Sequence, residues 1–365
     1  MNEFKTQRDK NSILAYVGNM SQIAGVRRSF ICDGRAREVE ALDVTTGGGL
    51  EFCVLPGRGM DIAHARYRGV PVSFITKAGI ASADAYEPQG MGWLRGFFGG
   101  LLTTCGLSNV GWTCDDEDAQ LGAVHHGLHG RISNTGAEAV SYGATWDKDG
   151  KYIIHASGRM REAALHAENL SLTRTITTSL GAKALRIRDE IENDGFVSRP
   201  LMILYHINAG YPLLDETSEM ILPTLGIAGS EEAANCPETY NDFFLPLHEG
   251  AQYVYKHELG DIDGKTRAAV VNKKLEYGLY VEFDKNQLPD FMQWKRLSKG
   301  DYVVGLEPAN CESVGRIESK KRGALKYIEP GETKTIDIVI GILDGADEID
   351  AFRSSCEELK IAGQL

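Results

Sequence analysis

The stretch Leu170-Ser-Leu-Thr-Arg-Thr-Ile-Thr-Thr178 alternates apolar and polar residues, and Ala184-Leu-Arg-Ile-Arg-Asp-Glu-Ile-Glu192 repeats the alternation. Successive side chains of a β-strand point to opposite faces, so a period of two predicts strands with one buried face. Gly181 lies between the two segments, and Asn193-Asp194-Gly195 after the second predicts a tight turn. These residues therefore favour consecutive antiparallel strands and decide the fold class.

Similar short runs fill the chain from about residue 20 to about residue 345. Further strands are predicted at Leu42–Thr46, Leu50–Leu55, Leu201–Tyr205, Gly278–Phe283, Phe291–Trp294, Tyr302–Leu306 and Ile336–Ile342. Residues 1–20 form a polar, partly helical lead-in, and the C-terminal part from Ala346 to about Ile361 has helical character. Because there is neither a repeat nor a low-complexity linker, we predict a single, mainly β domain over 1–365 with a few short helices.

Charge and composition exclude several classes of partner. The net charge is −12, and no Lys/Arg cluster offsets it, which argues against binding to nucleic acid. No apolar run approaches the ~20 residues needed to cross a bilayer, and the first ten residues lack an apolar signal core. We therefore expect a cytoplasmic protein without membrane contact. The seven cysteines have no CxxC spacing, which disfavours zinc ribbons and disulfide frameworks.

Three histidines lie close together in a glycine-rich segment. His125, His126 and His129 are flanked by Gly122, Gly127 and Gly130, and glycine allows a ligand to approach the backbone closely. We predict that His129 and His126 bind substrate. His125 would point away from His126 in an extended segment and is the expected bystander. The alternative is a loop cluster whose imidazoles bond to backbone carbonyls.

A histidine and a glutamate each follow an apolar run typical of a buried strand. His206 ends Leu201-Met-Ile-Leu-Tyr205, and Asn208 lies two residues on, facing the same side. Glu307 follows Tyr302-Val-Val-Gly-Leu306 and precedes a proline, which interrupts a sheet ladder. An apolar setting raises the pKa of a carboxyl group, and this suits a general base. The alternatives are a core histidine and a glutamate paired with a basic residue.

Further candidates for substrate binding come from residue type alone. Arg58 and Asp61 could bind hydroxyl groups or form a structural ion pair. Gln293 and Trp294 offer an amide and an aromatic face, the usual pair for a sugar, although a core position would also explain the tryptophan. Asn310 lies three residues beyond the glutamate.

Several common cofactor-binding and catalytic motifs are missing from the sequence, which argues against the activities that depend on them. The chain has no GxGxxG after a strand, no Walker loop, no GxSxG and no HExxH. Nicotinamide-dependent, nucleotide-dependent and serine-hydrolase activities therefore lose support. We predict that no cofactor is used.

At the residues quoted above, the chain resembles the galactose mutarotase (aldose 1-epimerase) superfamily, in particular a bacterial branch of aldose-1-epimerase-like proteins. The resemblance covers about residues 25–345. Leu128-His129-Gly130-Arg131 is similar to a Leu-His-Gly-Gly stretch that carries a substrate-binding histidine. Tyr205-His206-Ile-Asn208 resembles the motif of the acid histidine, and Leu306-Glu307-Pro-Ala-Asn310 resembles the context of the base glutamate.

The chain departs from the family pattern at several positions. Tyr205 replaces an asparagine and Arg131 replaces a glycine. The arginine–asparagine motif that holds the sugar is not evident, and Thr103-Thr-Cys-Gly106 stands near its place. The resemblance implies a galactose mutarotase-like supersandwich, that is, a large sandwich of curved antiparallel sheets with the ligand in a concave cleft.

The function implied by the resemblance is the interconversion of sugar anomers. Glu307 would take the proton of the anomeric hydroxyl, while protonated His206 gives one to the ring oxygen. The small carbohydrate would be held by side chains at His126, His129, Arg58, Asp61, Asn208, Gln293 and Asn310.

Two other functions stay open at this point. One is a non-catalytic carbohydrate-binding protein. The other is a metal-dependent isomerase or lyase on a modified sugar, whose metal would be held by His126, His129, His206 and Glu307. A homodimer is expected from base rates alone.

Overall fold

The two alternating segments form one antiparallel hairpin in the structure, a computed structural model that describes residues 9–118, 122–234 and 237–364. Strands Asn169–Ser179 and Ala184–Asn193 pair with Leu172 opposite Ile191 and with Ile176 opposite Ile187. These four apolar side chains are at most 2% exposed, so the period of two does mark a buried face.

The hairpin belongs to one of two large antiparallel sheets. The first sheet, in spatial order, contains Gly25–Phe30, Glu40–Thr45, Leu50–Leu55, Asp61–Tyr67, Leu102–Leu107, Met202–Gly210, Asp301–Ala309, Asp290–Ser298, Gln252–Leu259 and Thr224–Gly229, with Val70–Pro71 paired on Asp61–Tyr67. The second sheet contains Glu138–Trp146, Tyr152–Ala163, Asn169–Ser179, Ala184–Asn193, Thr333–Asp344, Tyr277–Asp284, Lys265–Asn272 and Ser218–Ile221. The predicted mainly β antiparallel sandwich is confirmed.

Short elements complete the described chain. Three two-stranded pairs are formed by Cys114–Asp118 with Gly122–His126, Arg199–Pro200 with Tyr327–Ile328, and Phe74–Ile75 with Gly99–Gly100. The α-helices are Lys10–Leu14, Trp93–Gly96, Glu231–Ala234, Arg316–Lys321 and Ala346–Gly363, and 3₁₀ turns lie at Met20–Gln22, Gly34–Ala36, Ala83–Ala85, Ile132–Asn134 and Pro237–Asn241. None of these helices has the length and apolar character that crossing a membrane requires.

The helix Ala346–Gly363 begins where the sequence predicted helical character. Its buried residues Ile349, Phe352 and Cys356 pack on apolar side chains of the second sheet, among them Val271 and Leu343. The predicted lead-in is described from Asp9 onward, and residues 1–8 lie outside the described residues.

The main core lies between the two sheets, and alternation decides which side chains enter it. On Met202–Gly210 the odd positions Ile203, Tyr205 and Ile207 belong to this core. The even positions Met202 and Leu204 belong to a second apolar cluster on the opposite face of the first sheet. That outward face also carries His206, so the residues of the candidate site lie on the side of the first sheet away from the main core.

A buried ionic network joins the two sheets inside the main core. Arg174 of the second sheet contacts Asp61 of the first at 2.9 Å and Asp189 at 2.7 Å, and all three side chains are fully buried. The Tyr205 hydroxyl donates to Asp189 at 2.7 Å, and the Thr104 hydroxyl donates to Asp61 at 2.6 Å. Buried charges persist only when they are paired and hydrogen-bonded, and here each one is.

Candidate active site

His206 and Glu307 face each other across two neighbouring strands. Met202–Gly210 pairs antiparallel with Asp301–Ala309, in a register that places Leu204 opposite Ala309 and Ile207 opposite Leu306. His206 therefore lies opposite Glu307, and their side chains meet on the outward face of the sheet. His206 Nε2 is 3.1 Å from Glu307 Oε1, and both side chains are almost fully buried.

A glycine makes room for this contact. Gly305 lies two residues before Glu307 and so points to the same face. A β-carbon at Gly305 would lie 2.4 Å from Glu307 Oε1 and 3.2 Å from His206 Cε1. The Glu307 carboxyl group can turn back toward the imidazole only because residue 305 has no side chain. Sequence reasoning missed Gly305, although it interrupts the apolar run Tyr302-Val-Val-Gly-Leu306.

Burial shifts the pKa values of Glu307 and His206 in opposite directions. Burial raises the pKa of Glu307 to about 8. Burial, and second the neighbouring His129, lower the pKa of His206 to about 3, while the interaction with Asn208 opposes this shift. Each shift favours the uncharged form of its group. At neutral pH burial therefore favours a protonated carboxyl group beside a neutral imidazole.

The Glu307 carboxyl group and the His206 ring are close, but no well-formed hydrogen bond joins them. Glu307 Oε1 and His206 Nδ1 are both buried, and neither has a well-formed hydrogen bond to another described residue. Asn208 sits on the same face as His206, and its Nδ2 donates to the carbonyl oxygens of Gly99 at 3.2 Å and of His206 at 2.8 Å. Buried polar atoms without partners are unusual and are concentrated at functional sites. This pair is therefore poised to bond to a further molecule.

His129 reaches the same space from the loop after the strand Gly122–His126. Its Nδ1 accepts a hydrogen bond from the Gly111 backbone N–H at 3.3 Å, so the neutral ring carries its proton on Nε2. Burial lowers the pKa of His129 to about 4, which keeps the ring neutral. The His129 and His206 ring centroids are 6.3 Å apart. His129 thus offers an N–H donor beside the acid–base pair.

Aromatic rings form the walls of a cleft above these groups. The Trp294 and Phe97 rings lie 5.2 Å and 5.3 Å from the His206 ring, and Trp93 packs on His129 at 4.8 Å. Trp112, which is 59% exposed, lies at the mouth. The cleft has about 720 Å³ of space, part of which is open to solvent. Three of the four tryptophans of the chain line it.

Four predicted binding residues are used by the fold instead. Arg58 is buried and donates to three backbone carbonyl oxygens, those of Ser133, Ala81 and Gly96. Asp61 belongs to the ionic network of the main core. Neither side chain lines the cleft, because both point into packed protein.

Gln293 and Asn310 are likewise occupied. Gln293 bonds to His257 at 2.9 Å and donates to the Tyr240 carbonyl oxygen at 2.8 Å. Trp294 is next in sequence and therefore points to the opposite face, into the cleft. Asn310 accepts from the Ile203 N–H and donates to the Leu201 carbonyl oxygen, which ties two strand ends together.

The histidine cluster is divided between two places. His129 lines the cleft, whereas His126 lines a separate pocket on the other side of the loop. The His125 ring contacts Asp115 at 2.8 Å and Thr113 at 3.1 Å, in keeping with its expected bystander role. The four residues proposed as metal ligands are therefore not brought together. Among the described residues, no group of three His, Cys, Asp or Glu side chains has the arrangement of a metal site.

Comparison with known proteins identifies a family and several solved structures that are similar to this chain. Residues 36–342 match the model of a family described as a domain of unknown function, DUF4432. The chain is similar to the crystal structure of a candidate aldose 1-epimerase from Klebsiella pneumoniae, with 21% identity and a TM-score of 0.83 over 92% of this chain and 87% of that chain. No protein with a curated description matches the sequence.

Two more distant structures share the architecture. A galactose mutarotase-like protein from Clostridium acetobutylicum has 14% identity and a TM-score of 0.60, over 88% of this chain and 99% of that chain. Galactose 1-epimerase from Lactobacillus acidophilus has 12% identity and a TM-score of 0.57, over 88% of this chain and 100% of that chain. At these identities the likeness concerns the fold. The chain has the galactose mutarotase-like fold and belongs to the DUF4432 family.

Proposed function

We propose that the protein is an aldose 1-epimerase-like isomerase that interconverts the anomers of a free monosaccharide. One observation carries this proposal. A buried carboxyl group and a buried imidazole lie 3.1 Å apart at the floor of an aromatic-walled cleft. Neither Glu307 Oε1 nor His206 Nδ1 has a well-formed hydrogen bond within the described part of the chain, so both are available to a bound molecule.

The reaction needs only two coupled proton transfers. One member of the pair takes the proton of the anomeric hydroxyl as C1=O forms, and the other gives a proton to the ring oxygen as the C1–O5 bond breaks. Rotation about C1–C2 exposes the other face of the aldehyde, and the reverse transfers close the ring as the opposite anomer. General acid and general base catalysis typically contribute ~10²–10⁴-fold each. No cofactor enters this scheme.

The position of the proton decides which group acts first. The sequence-based assignment, with His206 as acid and Glu307 as base, requires the ion-paired form. Burial favours the neutral form, in which the Glu307 carboxyl group is the donor. The two forms differ only in where one proton lies, and each ring opening converts one form into the other. We propose that each turnover passes through both.

Neighbouring side chains would bind and orient the sugar. The rings of Trp93, Phe97 and Trp294 offer apolar surfaces to its C–H faces, and the His129 Nε2–H can donate to a hydroxyl group. Asn208 would hold the His206 ring in place. Among the described residues that line the cleft there is no Lys or Arg. A phosphate or carboxylate on the sugar would therefore lie near Glu307 without a counter-charge, which favours a neutral substrate.

Anomer exchange of a panel of neutral aldoses, measured by polarimetry or saturation-transfer NMR, tests the proposal. Glu307→Gln and His206→Asn should each reduce the rate by at least about 10²-fold. His126→Asn is the matched control, because it makes the same substitution as His206→Asn at a histidine that does not line the cleft. Near-wild-type rates from both variants would remove the mechanism. Saturable binding without any exchange would indicate a non-catalytic carbohydrate-binding protein.

A further inference from the structure

A second pocket lies behind the loop that carries His129. It has about 550 Å³ of space, part of which is open to solvent, and among the described residues it shares no lining residue with the catalytic cleft. The segment His125–Arg131 separates the two. Leu128 and His129 line the cleft, whereas His126 and Arg131 line the second pocket.

A buried carboxylate of the second sheet forms part of this pocket. Glu162 occupies an inward position of Tyr152–Ala163, where the alternation predicts an apolar residue, and it is 2% exposed. Its Oε2 accepts a hydrogen bond from the Leu107 N–H at 3.1 Å, but its Oε1 has no well-formed hydrogen bond to any described residue. A buried carboxylate oxygen without a partner is unfavourable, which points to a ligand that completes its bonding.

The side chains of His126 and Arg131, which also line the pocket, could form further hydrogen bonds or ion pairs with a ligand. The His126 ring makes no hydrogen bond within the described residues, and burial lowers its pKa to about 4, so it offers one donor and one acceptor. The Arg131 guanidinium forms no ion pair with any described residue. Burial raises the pKa of Glu162, while the Ser108 side chain, the Leu107 N–H and the charge of Arg131 oppose this rise.

The charges around the pocket indicate what it would bind. Among the described residues, three cations and three anions line it, namely Arg131, Arg199, Arg316, Asp118, Glu162 and Glu168. Arg199 is paired with Asp118, and Arg316 is paired with Asp116 outside the lining. The Arg131 guanidinium and the Glu162 and Glu168 carboxylates are not part of these pairs, so a bare anion would face two carboxylates and a bare cation would face a guanidinium group. Neighbouring hydroxyl groups are both donors and acceptors, so a polyol can accept from a guanidinium while it donates to a carboxylate. We propose that this pocket is a second carbohydrate site, which binds a small neutral polyol between Glu162, His126 and Arg131.

Binding at the cleft and binding at the second pocket can be measured separately, because different methods detect them. Three tryptophans line the cleft and none lines the second pocket, so tryptophan fluorescence reports the cleft, whereas saturation-transfer NMR and calorimetry report both. The probes are neutral hexoses, pentoses and 6-deoxyhexoses, with phosphate, citrate and alanine as charged and zwitterionic comparisons. We expect a neutral sugar to show two sites per chain.

Two variants and one control complete the design. Glu162→Gln keeps an oxygen for the Leu107 N–H, and Arg131→Met changes an exposed side chain, so at least the second variant should fold. Each variant should weaken sugar binding at the second pocket by at least about tenfold. The fluorescence titration, which reports binding in the cleft, should stay unchanged. Arg161→Gln, which alters the adjacent outward charge, should change neither site.

Three outcomes would overturn the second site. One is the absence of any Arg131-dependent or Glu162-dependent binding of a neutral sugar. The second is an equal loss of binding in the Arg161 control. The third is preferential binding of phosphate, citrate or alanine. The test does not require anomer exchange, so failure of the proposed catalytic activity would be seen separately.

Discussion

Replacement of Gly305 by alanine should damage the catalytic pair without damaging the fold. The new β-carbon would lie 2.4 Å from Glu307 Oε1. Because carbon–oxygen contacts are ordinarily about 3.3 Å or longer, the carboxyl group must move by about 1 Å. A misplacement of this size can reduce a rate by ~10²-fold. The clash is with the end of a side chain, and alanine is otherwise better than glycine inside a strand by ~0.5–1 kcal/mol.

The assay for this variant is anomer exchange at saturating sugar, with thermal unfolding measured in parallel. We expect a rate at least about tenfold below wild type and a melting temperature near or above it. Gly143→Ala is the control. That glycine also lies in a strand, but its β-carbon would meet its nearest neighbour, His155 Cε1, at an ordinary 3.4 Å. A wild-type rate for Gly305→Ala would refute the claim that the Glu307 carboxyl position controls catalysis.

Four further predictions concern the effect of pH on rate and on stability, the core and the cleft mouth. The exchange rate should fall as pH rises through about 8, where the pair loses its one proton; a rate that stays constant to higher pH would contradict this. The raised pKa of Glu307 also makes folding less favourable as pH rises from 4.5 toward 8, so Glu307→Gln should flatten the pH dependence of urea unfolding over that window. Tyr205→Phe removes a hydrogen bond to Asp189 and should lower the free energy of unfolding by ~1.5–3 kcal/mol without changing the exchange rate, because this side chain faces the core. Trp112→Ala should raise KM several-fold with little change in kcat, which steady-state kinetics would show; a fall in kcat alone would argue against a binding role.

The fold could be predicted because its signals are local. The segment Leu170–Thr178 and its partner show their buried face directly in the period of two, and the helix at Ala346 begins where the alternation stops. The pairing of Met202–Gly210 with Asp301–Ala309 could not be read from the sequence, because the two strands are about a hundred residues apart and are joined only by the folded chain. Register between such strands depends on the packing of both faces.

The proximity of His206 and Glu307 could be predicted because residue type and strand position agreed there. His206 and Glu307 end apolar runs, and a titratable group at such a place needs a partner or a function. Arg58 and Gln293 were chosen for their chemistry alone, and that chemistry serves equally well to satisfy buried backbone and side-chain groups. Two tryptophans of the cleft walls were harder to predict, because Trp93 begins the short helix Trp93–Gly96 and Trp112 lies in a loop. Neither segment has a sequence period that predicts its path over the sheet.

Two expectations stay predictions. The structure contains one chain, so the homodimer expected from base rates awaits light scattering or sedimentation. A cytoplasmic location likewise awaits fractionation.

The double variant Glu307→Gln/His206→Asn tests the central claim most directly. If the two groups exchange one proton as a unit, removal of either one stops the transfer, and the anomer-exchange rate of the double variant should be about that of the slower single variant. If their losses multiply instead, or if either single variant exchanges anomers at the wild-type rate, the two side chains do not act together.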